Sequence, residues 1–378
     1  MMKNVYITGA NCVTPLGFDT VSNWEALLRD DSGVREHHNV GMLDAFFASV
    51  IDQNELDKAF DAIEKNIGYT KLEKMLILAL KPLVDQQEIT PRTAFLFSTT
   101  KGNISLLGNK EVEIKQAHLA VLAKKISTYF GFVTEPIVVS NACVSGVLAI
   151  AVAKRMIQSG SYDAAFVVAG DEVSEFVLSG FNSFQAMSNQ PCKPYDADRN
   201  GVNLGEAAAA VYLTSDADEV NKDTFKILGD GAVNDANHIS GPSRTGEGLF
   251  RSIQSALKEA NIGSESIDYI SAHGTATIYN DEMEAIAFNR HGLEKVPVNS
   301  LKGYYGHTLG ASGLLETVIG MESAKRNQLV VSKGYEKSGV TQSITVITEN
   351  KMHEMKRFLK TASGFGGCNT AVIFEKMS

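Results

Sequence analysis

Val138-Val139-Ser140-Asn141-Ala142-Cys143-Val144-Ser145-Gly146-Val147-Leu148-Ala149-Ile150 is the stretch around which the chain is organised. The valines end a short apolar strand, small residues make a tight turn, and the run that follows predicts a helix from about Val144 to Gln158. Cys143 therefore stands where strand becomes helix. Unsatisfied N–H groups and the macrodipole at a helix N-terminus favour negative charge, so a thiol there is expected to lose its proton more readily. A backbone N–H of the same turn can face a developing oxyanion. Ser145 and Gly146 are expected to leave room beside the sulfur for another molecule. An isolated free cysteine is most often just buried. The rest of the chain argues instead for a nucleophile.

Strand-like and helix-like segments alternate on both sides of this stretch, which points to an α/β architecture with mostly parallel sheets. Apolar runs at Thr93–Ser98 and Ala164–Gly170 read as strands covered on both faces, and Ala207–Leu213 as a further strand. Helical spacing recurs over Leu56–Ile67, Leu72–Gln86 and Val112–Phe130, whereas Arg35–Asp52 shows no regular period. Thr214–Asp223 is polar and acidic, and we place the boundary between two halves there, at 1–215 and 216–378. The second half offers strands at Phe225–Leu228, Ile267–Ala272, Val296–Asn299, Val340–Thr348, Arg357–Ser363 and Thr370–Phe374. Its helices are Leu249–Ala260, Asp281–His291 and Gly313–Arg326. The turn and helix from Gly310 to Arg326 repeat the plan of Cys143 to Gln158, a weak sign of internal duplication.

A chain of 378 residues is long enough for two halves or one large layered domain. Its formal charge of −9 argues against a nucleic-acid partner, which would call for a basic stripe, but is compatible with an acidic protein partner met by a local basic patch. Cys12, Cys143, Cys192 and Cys368 lie far apart, in neither a disulfide nor a zinc pattern. The chain enters a strand within its first residues without a signal sequence, and no apolar stretch reaches membrane-spanning length. A cytoplasmic protein is expected.

Two further stretches carry chemistry. Ser271-Ala272-His273-Gly274-Thr275-Ala276-Thr277 puts a histidine just beyond a strand end, where α/β sheets place ligand sites. Asp281 and Glu284 follow on the next helix, and for these carboxylates capping and solvation is the simpler expectation. Ser300-Leu301-Lys302-Gly303-Tyr304-Tyr305-Gly306-His307-Thr308-Leu309-Gly310 puts a lysine and a second histidine in a glycine-punctuated loop. The small residues after His307 are expected to let a ligand approach the backbone. Ser363-Gly364-Phe365-Gly366-Gly367-Cys368-Asn369 is a glycine loop around one aromatic ring, suited to a gate or an oxyanion donor.

Together with Thr14-Pro15-Leu16-Gly17 and Tyr195-Asp196-Ala197-Asp198-Arg199-Asn200-Gly201, the order of these motifs resembles the β-ketoacyl-(acyl-carrier-protein) synthases, decarboxylating condensing enzymes of the Cys-His-His, thiolase-like type. The resemblance covers nearly the whole chain. It implies a five-layer αβαβα fold from two similar halves, usually dimeric, and an acyltransferase that needs no cofactor. It makes Cys143 the acylated nucleophile, His273 and His307 the histidines on the malonyl side, Lys302 their support and Phe365 the gate. Thr275 and Thr277 match positions that meet the phosphopantetheine arm of an acyl carrier protein. Arg199 and Lys74 are candidates for docking that carrier. Glu284 and Glu316 match positions that in some relatives help hold a structural monovalent cation.

The chemistry agrees with the resemblance. Joining an acyl group to a malonyl unit needs a nucleophile to hold the first and hydrogen-bond donors for the enolate left when carbon dioxide departs from the second. A degradative thiolase would carry a second catalytic cysteine near the C-terminus, and a coenzyme-A-primed synthase would pair Cys and His with Asn. A synthase-like interaction subunit of the chain-length-factor type is the alternative from another class, and the retained Cys143 argues against it. Ser98–Phe130 is shorter than in typical relatives, so chain-length preference does not carry over. The region around Lys74 is less basic than a typical carrier-docking helix, which suits a specialised carrier.

Overall fold

The computed structural model describes residues 3–377 except 42, 66–67, 109–112, 236–240 and 242. The chain runs β1 (Tyr6–Val13), α1 (Thr20–Leu28), β2 (Val34–Val40), β3 (Leu43–Ser49), α2 (Gln53–Asp61), α3 (Lys71–Val84), β4 (Thr93–Ser98) and α4 (Leu119–Tyr129). β5 (Ile137–Val139), α5 (Ser145–Gln158), β6 (Ala164–Asp171), α6 (Glu175–Ser183), β7 (Leu204–Gly205) and β8 (Ala207–Thr214) follow. Then come β9 (Phe225–Asn234), α7 (Glu247–Ala260), β10 (Tyr269–Ser271), α8 (Ile278–Arg290), β11 (Pro297–Asn299) and α9 (Lys302–Tyr305). The last elements are α10 (Ser312–Arg326), β12 (Gln328–Leu329), β13 (Thr345–Val346), β14 (Lys351–Met352), β15 (Arg357–Gly364) and β16 (Cys368–Lys376).

Eleven strands form one hydrogen-bonded sheet in the order β13-β11-β10-β15-β16-β9-β1-β8-β6-β4-β5. Its two wings join at the start of β1, where Tyr6 and Ile7 pair with both β8 and β9. α5 and α10 lie between the wings, in a core that includes Val147, Ile150, Leu314, Val318, Val167 and Phe358. α3 and α4 cover the outer face of the first wing, and α7 and α8 that of the second. Helix, sheet, helix, sheet, helix is the five-layer thiolase-like order.

The wings are mixed rather than mostly parallel. Strands linked by helical crossovers, such as β4, β5 and β6, run parallel. β15 and β16 are joined by the short glycine turn at Phe365–Gly367, and a tight turn can only return the chain antiparallel. β4, β6 and β8 are buried along their whole length, as their unbroken apolar runs require.

The structure departs from expectation at Arg35–Asp52, which is not irregular but contains the β2–β3 hairpin. β2 hides its period because most of its residues are exposed or half-buried. The expected helix ends at Ile67 and Val112 lie outside the described residues, and α2 and α4 are shorter than predicted. Of Val340–Thr348 only Thr345 and Val346 pair as strand.

The small residues beside Cys143 and His307 serve packing. A Cβ on Gly146 would sit 2.7 Å from the Gly310 carbonyl oxygen, and one on Gly313 would sit 2.9 Å from Val147 Cβ. Gly146 and Gly313 thus let α5 and α10 touch, and the expected room for a ligand at these positions is filled by the facing helix. Gly146→Val should destabilise the protein by about 1–3 kcal/mol, the usual cost of overpacking. Urea unfolding measures this, and an unchanged midpoint would show that the helices can part freely.

Candidate active site

A sharp turn presents Cys143. Ala142 adopts φ 45°, a left-handed conformation that non-glycine residues rarely take, so the chain swings from β5 into α5 in a few residues. Ser145 holds the turn: its Oγ accepts from Asn141 N at 2.7 Å and donates to Ala142 O at 2.6 Å. Cys143 is buried, and burial pushes its thiol up to about 12, with the nearby Cys368 pushing the same way. Lys302 and the Phe365 backbone N–H pull it down without offsetting this. Burial thus works against the easy deprotonation expected of a thiol beside a helix N-terminus.

A thiolate formed in so dry a place needs a donor, and His307 Nε2 lies 3.1 Å from Cys143 Sγ. The Leu309 backbone N–H donates to His307 Nδ1 at 3.2 Å, so the ring proton sits on Nε2. His273 is set the same way, with Lys302 Nζ 3.3 Å from its Nδ1. Burial first, and then the Lys302 charge, hold both imidazoles well below their ordinary range. The ring centroids are 5.1 Å apart and the rings nearly perpendicular, at 84°. Cys143, His273 and His307 each bring one ligand-type atom within 4.8 Å of the others. Both Nε2 atoms are donors, so the trio suits an oxyanion better than a metal ion.

Five buried ionisable groups, Glu284, Asp281, Lys302, Glu316 and Lys360, gather around the His273 loop. Glu284 accepts from His273 N at 2.9 Å and Gly274 N at 2.7 Å. Asp281 accepts from Thr275 N at 2.9 Å and Tyr195 N at 2.7 Å. Both carboxylates are fully buried and tie loops together, so the expected solvated cap is corrected. Lys302 Nζ donates to His273 O at 2.5 Å and to Glu316 Oε1 at 2.7 Å. Burial pushes the Glu316 carboxyl up, but Lys302 and Lys360 outweigh it and hold the group below its ordinary range. No motif in the chain points to Lys360. The signal that could have found it is a charge inside the otherwise apolar strand Phe358-Leu359-Lys360-Thr361-Ala362.

A cavity of about 390 Å³ opens in front of the sulfur, lined by Cys143, His273, His307, Thr275, Thr277 and Phe365 among others. The Thr275 and Thr277 hydroxyls lie 2.8 Å apart. Phe365 is 38% exposed and its ring lies between Phe181 and Phe184, with centroids 5.6 and 5.4 Å away. Gly366 and Gly367, at φ 85° and 80°, give the loop beneath it its left-handed turn.

The two docking candidates are not free surface cations. Arg199 is buried, donating through Nη1 to Asp196 O at 2.8 Å and Gly339 O at 2.7 Å, and it faces Asp281 at 3.7 Å. It pins loops together behind the site. Lys74 is paired with Asp57 at 2.6 Å and its side chain is 14% exposed.

A buried thiol faced by two neutral imidazole donors, at the meeting of two thiolase-like halves, defines an acyl-transferring site. The beta-ketoacyl synthase N-terminal domain matches residues 2–219 and the C-terminal domain residues 225–336. The chain belongs to the beta-ketoacyl synthase family, and it is an acyltransferase of that family. It is 28% identical over 423 residues to 3-oxoacyl-[acyl-carrier-protein] synthase 2 of Vibrio cholerae, with 99% of each chain covered. The synthase 2 of Rhizobium meliloti is 29% identical over 422 residues, again with 99% of each covered. Among solved structures it resembles a ketosynthase in complex with its chain length factor from Xenorhabdus doucetiae, at 25% identity and a TM-score of 0.87, over 99% of this chain and 98% of that one.

Both histidines should stay neutral, with the proton on Nε2, from about pH 6 to about pH 8, since an ordinary imidazole charges near ~6.5. Nitrogen NMR of the rings reads this directly, and a titration of either within that window would refute the assignment. The unfolded chain takes up these protons while the native site does not. Their contribution to stability is therefore complete above the ordinary value and withdrawn as pH falls below it.

Proposed function

We propose that the protein condenses a Cys143-bound acyl group with malonyl units delivered by an acyl carrier protein, releasing carbon dioxide and forming a 3-oxoacyl thioester. The observation that carries this reading is the pair of Nε2–H donors fixed by their Nδ1 partners beside one thiol. In the first half-reaction the Cys143 sulfur attacks the carrier thioester carbonyl, and its proton passes to the departing carrier thiol. The N–H groups of Cys143 and Phe365 are the donors for the oxyanion. In the second, the carboxylate of a malonyl thioester departs as carbon dioxide. The electron pair moves onto the thioester oxygen, where His273 and His307 donate to it. The enolate carbon then attacks the acyl-Cys143 carbonyl, and the sulfur leaves and takes up a proton from solvent.

Thr275 and Thr277 offer hydroxyls along the cavity wall to a pantetheine arm. The curated relatives are named for an acyl carrier protein, which supports such a carrier as partner here. A homodimer is the expected assembly. The Xenorhabdus ketosynthase pairs with a chain length factor, and that complex supports a heterodimer as the other arrangement. A reducing, cytoplasmic setting belongs to the same proposal, since the reaction runs on a free thiol. No helix among the described residues is long and apolar enough to cross a membrane.

The two half-reactions use different side chains and should separate by mutation. Cys143→Gln should lose acylation and condensation yet still release carbon dioxide from malonyl-carrier. His307→Ala should still be acylated at Cys143 but decarboxylate ~100-fold more slowly or worse, the typical effect of losing one preorganised donor. Labelled carbon dioxide release and intact-mass acylation read the two steps. A folded Cys143→Gln that releases none, or a His307→Ala that cannot be acylated, would sink this division of roles.

The Phe365 ring packs against Phe181 and Phe184, and the glycines after it let the loop turn cheaply. Phe365→Ala should slow acyl transfer to Cys143 more than it weakens carrier binding. Equal acylation rates for the two proteins would remove the gate.

A further inference from the structure

Lys360 lies on β15 with its side chain fully buried, one strand away from the residues that lead into His273. Four oxygens surround its ammonium group. Thr361 O is at 2.6 Å, Ser271 O at 3.1 Å and Ala272 O at 3.3 Å. Glu316 Oε2 is at 2.7 Å, an ion pair. Three backbone carbonyls and a carboxylate converging on one positive centre are the ligand set of a hard monovalent cation.

The same resemblance that marks Glu284 and Glu316 implies such a cation, and the residues present do not fit an additional one. Glu316 already faces two ammonium groups, from Lys302 and Lys360. Glu284 already accepts from His273 N, Gly274 N, the Tyr195 hydroxyl, Asn280 Nδ2 and the Thr361 hydroxyl. Two lysines and two glutamates balance in this buried cluster, and a third cation would unbalance it.

We infer that Lys360 is a built-in cation: its ammonium group fills the all-oxygen cage beneath the His273 loop and positions that loop without an exchangeable ion. The carbonyls of Ser271, Ala272 and His273 are consecutive. The first two point to Lys360 and the third to Lys302, so two tethered charges hold three successive peptide groups. Misplacing His273 would misaim its Nε2–H. Lys360 touches no substrate in this arrangement and is a positioning residue. The inference deepens the synthase reading and rests on it for its activity measurements.

Taking the ammonium away leaves three carbonyl oxygens and half of Glu316 facing an uncompensated space. That space should draw a monovalent cation from solution. The experiment compares wild type, Lys360→Ser and Lys360→Met in potassium chloride and in choline chloride at equal ionic strength, reading 3-oxoacyl formation and melting temperature. Wild type should give the same rate and melting temperature in both salts. Lys360→Ser makes room for an ion. It should fall at least ~10-fold in choline, an effect of misplaced catalytic geometry, and recover both rate and melting temperature in potassium. Lys360→Met fills the room with an uncharged chain and should be impaired in both salts.

A wild type whose rate or melting temperature rises with potassium overturns the inference. So does a Lys360→Ser that keeps the wild-type rate in choline. So does one that neither folds nor recovers in either salt, because potassium then does not replace the ammonium. If the synthase reading itself fails, wild type makes no 3-oxoacyl product in any salt, and the melting temperatures still decide the role of Lys360.

Discussion

Glu316 carries a negative charge to the middle of the protein, and the ammonium groups of Lys302 and Lys360 follow it there. Isolated, any of the three would be expelled by the cost of leaving water; together they are held only where each finds the others. Glu316 sits on α10, Lys302 on α9 and Lys360 on β15, so their meeting fixes three elements of the second half against one another. The His273 loop is what they enclose. Lys302 takes its carbonyl and its ring nitrogen, while Glu284 takes its backbone N–H.

That enclosure decides the protonation of the site. Burial, with two ammonium groups close to the two imidazoles, works against a further positive charge there. The histidines are thereby kept as neutral donors, the form an enolate oxygen calls for. Burial likewise pushes the Cys143 thiol up, and His307 Nε2 lies 3.1 Å from its sulfur. A protonated thiol is a poorer nucleophile than a thiolate, and the Phe365 ring lines the same cavity as the sulfur.

The two halves meet through α5 and α10, which bring the nucleophile and the His307 turn side by side. α5 starts at Ser145, just after Cys143, and α10 starts at Ser312, a few residues after His307. Gly146 and Gly313 let these helix starts approach until backbone touches side chain. Asp171, at the end of β6, ties the arrangement further by accepting from Gly310 N at 2.8 Å and from Thr100 N at 3.0 Å. The distance from sulfur to Nε2 is thus a consequence of helix packing in the central layer.

What could be read from the chain alone was local in origin. A strand, a small-residue turn and a helix place Cys143 by their own backbone preferences. A histidine after a strand end or in a glycine loop is visible for the same reason, and motif order linked these stretches to a family. The layered α/β fold followed, because unbroken apolar strands require cover on both faces. What the tertiary structure decided was everything set by water's exclusion and by residues distant in sequence. It buried a helix-terminal thiol expected to be acidic, which pushes its pKa up, and moved Arg199 from a docking surface to the interior. It filled the space beside Gly146 with a helix, made solvated carboxylates into loop anchors, and surrounded Lys360 with oxygens from two strands and a helix. Charge, burial and hydrogen bonding depend on three-dimensional neighbours, and no spacing along the chain encodes which carbonyls will face a lysine.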